Sequence, residues 1–162
     1  MPLFNLFKNS SYYSFTGKLS NILTSFINYF SLKGWYIAYF VLHPEYKSPS
    51  LFRAQICAVI IVVLMIANFI CHVMLANLRP AGTSQRNIPR GFLFELVSCP
   101  NYFVEILQWS VYTVMCQSVS SLVFTLMGGG QMLVWALGKH AAYKKEFKDY
   151  PRGRKALIPF IL

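Results

Sequence analysis

Asn101 and Glu105 lie four residues apart in the stretch VSCPNYFVEILQW, which on a helix puts an amide and a carboxylate on one face. Gln108 and Tyr112 continue that stripe at helical spacing. A carboxylate among apolar residues needs a partner or water, so two readings stand side by side. One is a salt bridge to an arginine of the 79–90 loop; the other is contact with a polar ligand. Tyr102 sits beside the stripe. Its phenol can act as a proton donor, and a tyrosine near a membrane interface also serves as an aromatic anchor.

Two further groups have spacing suited to chemistry. Asn68, His72 and Arg79 recur along one helical stripe at the end of an apolar run. They can face a polar cavity, or they can bond neighbouring helices while the arginine reaches the interface. In the tail, His140, Tyr143, Phe147 and Tyr150 form an aromatic face flanked by Lys144, Lys145 and Lys148. That pattern fits a surface helix on anionic lipid headgroups, or a wall of an anion site.

The elements that carry these residues are membrane-like. Of 162 residues, 56% are hydrophobic and 12% charged, with a mean hydropathy of +0.45. A soluble domain carries about a quarter charged residues, so the composition predicts an all-α, multi-pass transmembrane helix bundle of about four spans. The clearest span is 54–78, uncharged between Arg53 and Arg79. Residues 106–138 are also uncharged, too long for one span, and predict two at about 101–121 and 122–141. Gly128, Gly129 and Gly130 fall in the second, where they permit close packing or a backbone break. A run over about 19–42, interrupted by Lys33 and Gly34, is the weakest candidate.

Fifteen Lys and Arg stand against five Asp and Glu. Arg79, Arg86 and Arg90 share one loop, and seven basic residues lie between Lys139 and Lys155. Two crossings separate the clusters, so both face one side, which the positive-inside rule makes cytosolic. The C-terminal tail is expected to be amphipathic and cytosolic. The basic residues interrupt apolar runs rather than line a soluble face, which argues against nucleic acid. Cys57, Cys71, Cys99 and Cys116 show no C-x-x-C spacing, so neither a disulfide framework nor a metal site is expected. No G-x-G-x-x-G, HExxH or G-x-S-x-G motif occurs, and the N-terminus does not read as a signal peptide.

The segments LRPAG, LVSCPNYFVE, GKHAAYKKEFKDYP and RKALIPFIL resemble the C-terminal half of the very-long-chain trans-2-enoyl-CoA reductases, of the steroid 5α-reductase-like superfamily. MPLFNLFKNSSYY and GWYIAYFVLHPEY also resemble them, so the similarity covers 1–13 and about 34–162. Residues 1–33 are read as an N-terminal segment with an unmatched insert at 14–33, and 34–162 as the C-terminal membrane domain. The resemblance implies a truncated form of a multi-pass endoplasmic-reticulum protein that uses NADPH. The reaction implied is reduction of very-long-chain trans-2-enoyl-CoA to saturated acyl-CoA, the last step of fatty-acid elongation. It implies cofactor contacts from Asn68, His72, Arg79, Arg86, Asn101, Glu105, His140 and Tyr143, and a proton donor in Tyr102. Membrane lipids and other elongation enzymes are the implied partners. Ala76 departs from the family pattern, which has a basic residue there.

Such a reaction delivers hydride to C3 of the enoyl thioester and a proton to C2, so the protein must orient the partners and stabilise enolate-like charge. The rival readings are reduction of a steroid or polyprenol enone, and a non-catalytic membrane subunit.

Overall fold

Among the described residues, 34–78 and 87–162 of a computed structural model, there are four α-helices and no β-strand. They are α1 (Gly34–Val41), α2 (Leu51–Asn77), α3 (Pro100–Cys116) and α4 (Val119–Glu146), with a 3-10 turn at Phe92–Glu95. The chain divides into two units, Met1–Tyr46 with α1 and Lys47–Leu162 with the other helices. Residues 1–33, including the insert at 14–33 and most of the 19–42 run, lie outside the described residues, as do Arg79 and Arg86. What is described of that run is the eight-residue α1. It is about 12 Å long and so too short by itself to cross a hydrocarbon core.

Helix α2 starts where the sequence supplies a cap: Ser50 Oγ accepts from the Arg53 N–H at 3.4 Å. Its 27 residues extend about 40 Å. Cys57 and Cys71 are buried, whereas Val59, Val62, Val63, Met65, Ile66 and Phe69 are exposed. An apolar face of that extent suits lipid rather than water. Both α2 and α4 are long and apolar enough to cross a membrane.

The uncharged 106–138 region is two helices, as its length requires. The turn falls at Gln117 and Ser118, a few residues before the expected boundary at 121. Gln117 takes the left-handed conformation (φ 50°), and its N–H closes on Thr113 O at 2.8 Å. Ser118, Ser120 and Ser121 satisfy one another locally: Ser118 Oγ meets Ser120 Oγ at 2.6 Å, and Ser121 Oγ donates to Ser118 O at 2.8 Å. Short hydroxyls that bond local backbone favour a new helix start over continuation.

Helices α3 and α4 pack as an antiparallel hairpin. Thr113 Oγ1 meets Thr125 Oγ1 at 2.9 Å, and the Trp109 and Phe124 rings lie 4.4 Å apart. Helix α4 runs unbroken through Gly128–Gly130, so no backbone break occurs there, and a Cβ at Gly129 would meet Ile106 at 3.7 Å, an ordinary contact distance. Helix α3 is the central element, in contact with α2 and α4.

The tail is built differently from a separate surface helix. Its first part, through Glu146, is the end of α4. The chain then reverses, and RKALIPFIL docks beside the segment before α3. Ser98 N–H donates to Lys155 O at 2.8 Å, Cys99 N–H to Ala156 O at 3.2 Å, and Lys155 N–H to Leu96 O at 3.1 Å. These bonds form a parallel bridge between Val97 and Lys155. Arg154, Ala156 and Leu157 are buried there.

Candidate active site

The ends of α2 and α4 border an open cavity of about 420 Å³, lined by Leu75, Ala76, Leu78, Asn87, Lys139, Ala142 and Tyr143. Helical spacing explains the α4 wall, since Lys139, Ala142 and Tyr143 share one face. Leu78 and Asn87 flank the 79–86 segment, and Asn87 Nδ2 donates to Leu78 O at 3.1 Å. Ala76 contributes a methyl group to this wall.

Tyr102 lies on the α3 face that meets α4. Its hydroxyl accepts from Lys139 Nζ at 2.7 Å, and its ring centroid is 6.1 Å from that of Trp135. Lys139, absent from the candidate residues read from the sequence, thus links Tyr102 to the cavity wall. Its spacing signal is weak alone, because a lysine at a bundle end also reads as a solvated charge.

The Asn101–Glu105–Gln108–Tyr112 stripe is about a quarter turn from the face bearing Tyr102, Ile106 and Trp109. Asn101 is buried and Glu105 half-buried. Arg90, the described arginine of the adjoining loop, pairs with Glu95 at 3.7 Å. On α2, Asn68 is half-buried and His72 exposed, and neither lines the cavity. Asn68 Oδ1 is buried and accepts no hydrogen bond among the described residues.

His140, Tyr143 and Tyr150 do come together, but through the chain reversal. Tyr150 lies beyond the helix and stacks on Tyr143, with centroids 5.6 Å apart and planes 5° apart. Its ring meets that of His140 edge-on at 5.7 Å. Beneath them is Ser98, buried and not anticipated from the sequence. Ser98 Oγ donates to Lys155 O at 3.1 Å and contacts His140 Nδ1 and Tyr150 Oη at 2.5 Å each. A hydroxyl has one proton. With that proton on the Lys155 carbonyl, Tyr150 and His140 Nδ1 donate to Ser98, leaving Nε2 of a neutral ring as an acceptor.

Cys99, at the start of α3, has its thiol pushed up to about 11 by burial, against the opposing effect of Lys139. It is therefore a packing residue rather than a nucleophile.

The 3-oxo-5-alpha-steroid 4-dehydrogenase family model matches residues 1–162, running through the 14–33 segment. The chain belongs to that family. Among members, it is 46% identical to the very-long-chain enoyl-CoA reductase of Dictyostelium discoideum over 100% of this chain and 49% of the relative. It is 40% identical to a probable very-long-chain enoyl-CoA reductase of Caenorhabditis elegans, over 100% of this chain and 50% of the relative. A rat 3-oxo-5-alpha-steroid 4-dehydrogenase 1 is 41% identical over 60% of this chain and 38% of its own length. The chain spans about half the length of the first two relatives and aligns to the C-terminal half of the enoyl-CoA reductases.

Proposed function

We propose that this chain serves in an NADPH-dependent reductase of very-long-chain trans-2-enoyl-CoA, the final reduction of fatty-acid elongation. Its setting in this reading is the endoplasmic-reticulum membrane, with the C-terminus cytosolic. The observation that carries the proposal is the Tyr102–Lys139 pair beside a cavity of mixed polar and apolar lining, in a chain whose full length matches proteins named enoyl-CoA reductases. An acyl-CoA substrate and surrounding lipid follow, with other elongation enzymes as further partners.

A dinucleotide is the ligand proposed for these polar groups. Asn68 has a buried acceptor without a partner among the described residues. Tyr143 stacks on Tyr150, whose ring meets His140 edge-on, and Lys139 presents a cation on the cavity wall. Asn101 and Glu105 on α3, and His72 on α2, are proposed as further contacts. Arg79 and Arg86 are proposed as phosphate contacts from their guanidinium chemistry. When bound, NADPH supplies the hydride that the enoyl C3 accepts. The chain's own part is to orient the thioester, exclude water and protonate C2, for which Tyr102 is the proposed donor.

The test joins this chain to the N-terminal half of its relatives in lipid nanodiscs and follows NADPH oxidation. Long-chain trans-2-enoyl-CoA should support turnover, and Tyr102→Phe should lower kcat roughly 100-fold or more. Turnover of a steroid enone without turnover of enoyl-CoA would move the assignment to the steroid branch. Glu105→Gln should weaken NADPH affinity about ten-fold, and unchanged affinity would remove Glu105 from the proposed contacts.

A further inference from the structure

The Tyr102–Lys139 contact is held from both helices. On α4, Lys139 follows Trp135 by one turn and the fully buried Ala136 by three residues. Ala136 packs in a cluster with Cys99 and Leu157, against which Tyr102 also lies. The lysine stem therefore leaves a packed crossing, and Nζ returns over the phenol, 2.7 Å from its oxygen and 4.5 Å from the ring centroid. An ammonium has three donors and no acceptor. The phenol oxygen accepts from it, so the phenolic proton must turn away from Lys139. The same lysine forms part of the cavity wall with Asn87 and Tyr143.

Resting on the reading of Tyr102 as proton donor, we propose that Lys139 is a positioning residue that orients the phenol and stabilises the phenolate left by donation. In this step the Tyr102 O–H bond breaks and its electron pair stays on oxygen. The enolate-like pair at C2 forms the new C–H bond, after C3 has received hydride from the nicotinamide cofactor. Tyr102 then takes a proton from solvent, so each turnover consumes one solvent proton, and Lys139 remains an ammonium throughout. Lys139 is exposed and Tyr102 half-buried; the cation is most useful when the oxygen turns negative, because the hydrogen bond then joins two opposite charges and is stronger than one to a neutral phenol.

Four variants, Lys139→Met, Lys139→Arg, Tyr102→Phe and the Met/Phe double change, test this in the chain joined to its relatives' N-terminal half. Lys139→Met should lower kcat about 10- to 100-fold at saturating NADPH and enoyl-CoA, the range of a lost charge-assisted hydrogen bond. The KM for NADPH should move less than about two-fold, and Lys139→Arg should recover most of the rate. With Tyr102→Phe already present, Lys139→Met should add little. A raised KM for NADPH with unchanged kcat would make Lys139 a cofactor contact and overturn the proposal. An equal loss in the Tyr102→Phe background would overturn it too.

Carbon-13 tyrosine NMR of this chain in nanodiscs reads the contact independently of turnover. The Tyr102 Cζ resonance, assigned by its loss in Tyr102→Phe, should move in Lys139→Met and return in Lys139→Arg. An unmoved resonance overturns the contact itself. A moved resonance combined with full activity of Tyr102→Phe instead rejects the proton-donor reading, and the positioning role with it.

Discussion

Ser98 shows how one small side chain can organise residues far apart in sequence. It joins the backbone of Lys155 to the side chains of His140 and Tyr150 within a buried site. Removing its oxygen leaves a buried phenol and a ring nitrogen without their partner, and each loss carries a cost of about 1–3 kcal/mol. Ser98→Ala should therefore destabilise the chain by about 2–6 kcal/mol, measured by denaturant unfolding in nanodiscs, with Ser98→Thr less affected. Unchanged stability in Ser98→Ala would show that water replaces the hydroxyl. His140 and Tyr143 were legible as candidates because their periodicity lies within α4. Ser98 was not, since a serine beside a cysteine and a proline gives no local sign of partners at positions 140, 150 and 155.

At the scale of elements, the C-terminal arm is clamped by charge. The Arg154 side chain is fully buried; Nη1 donates to Pro89 O at 3.1 Å, and Nη2 is 3.6 Å from Glu95 Oε2. Glu95 also accepts from the Gly91 N–H at 2.7 Å. The Gly91 hydrogen bond, followed by the Arg154 and Arg90 charges, holds the Glu95 carboxyl below its ordinary range. A group whose folded value is depressed adds stability above its unfolded value, and that contribution is lost as pH falls through the folded one. Melting temperature should consequently fall as the pH drops below about 4, and Glu95→Gln should be less stable at neutral pH with a flatter acid limb. A wild-type acid limb identical to that of Glu95→Gln would show that the clamp does not depend on ionised Glu95.

At the scale of the molecule, the cavity brings Leu78, Asn87, Lys139 and Tyr143 to one end of the bundle. That placement agrees with the side shared by the two basic clusters. Asn87 and Gly153 are both exposed. Cysteines placed there one at a time should react with a membrane-impermeant reagent from the same side, the cytosolic one in the proposed topology. Labelling from opposite sides would reject the hairpin as two crossings. The four native cysteines are buried and free, so their background should be small.

Hydrophobic length and charge spacing determined, from the sequence alone, that α2 is long and apolar enough to cross a membrane and that 106–138 is two helices. Those are local quantities, set by rise per residue and the cost of placing charge in hydrocarbon. The family resemblance was equally legible because its motifs are contiguous. Tertiary structure decided the turn at Gln117–Ser118, the return of Tyr150 onto Tyr143, and the docking of 155–156 beside 96–99. It also decided that Tyr102 faces Lys139 while Asn101 and Glu105 lie on a neighbouring face of α3. Helical periodicity assigns a residue to a stripe but carries no information about which helix covers that stripe. The covering partner is chosen by packing and by satisfying buried polar groups across distant segments.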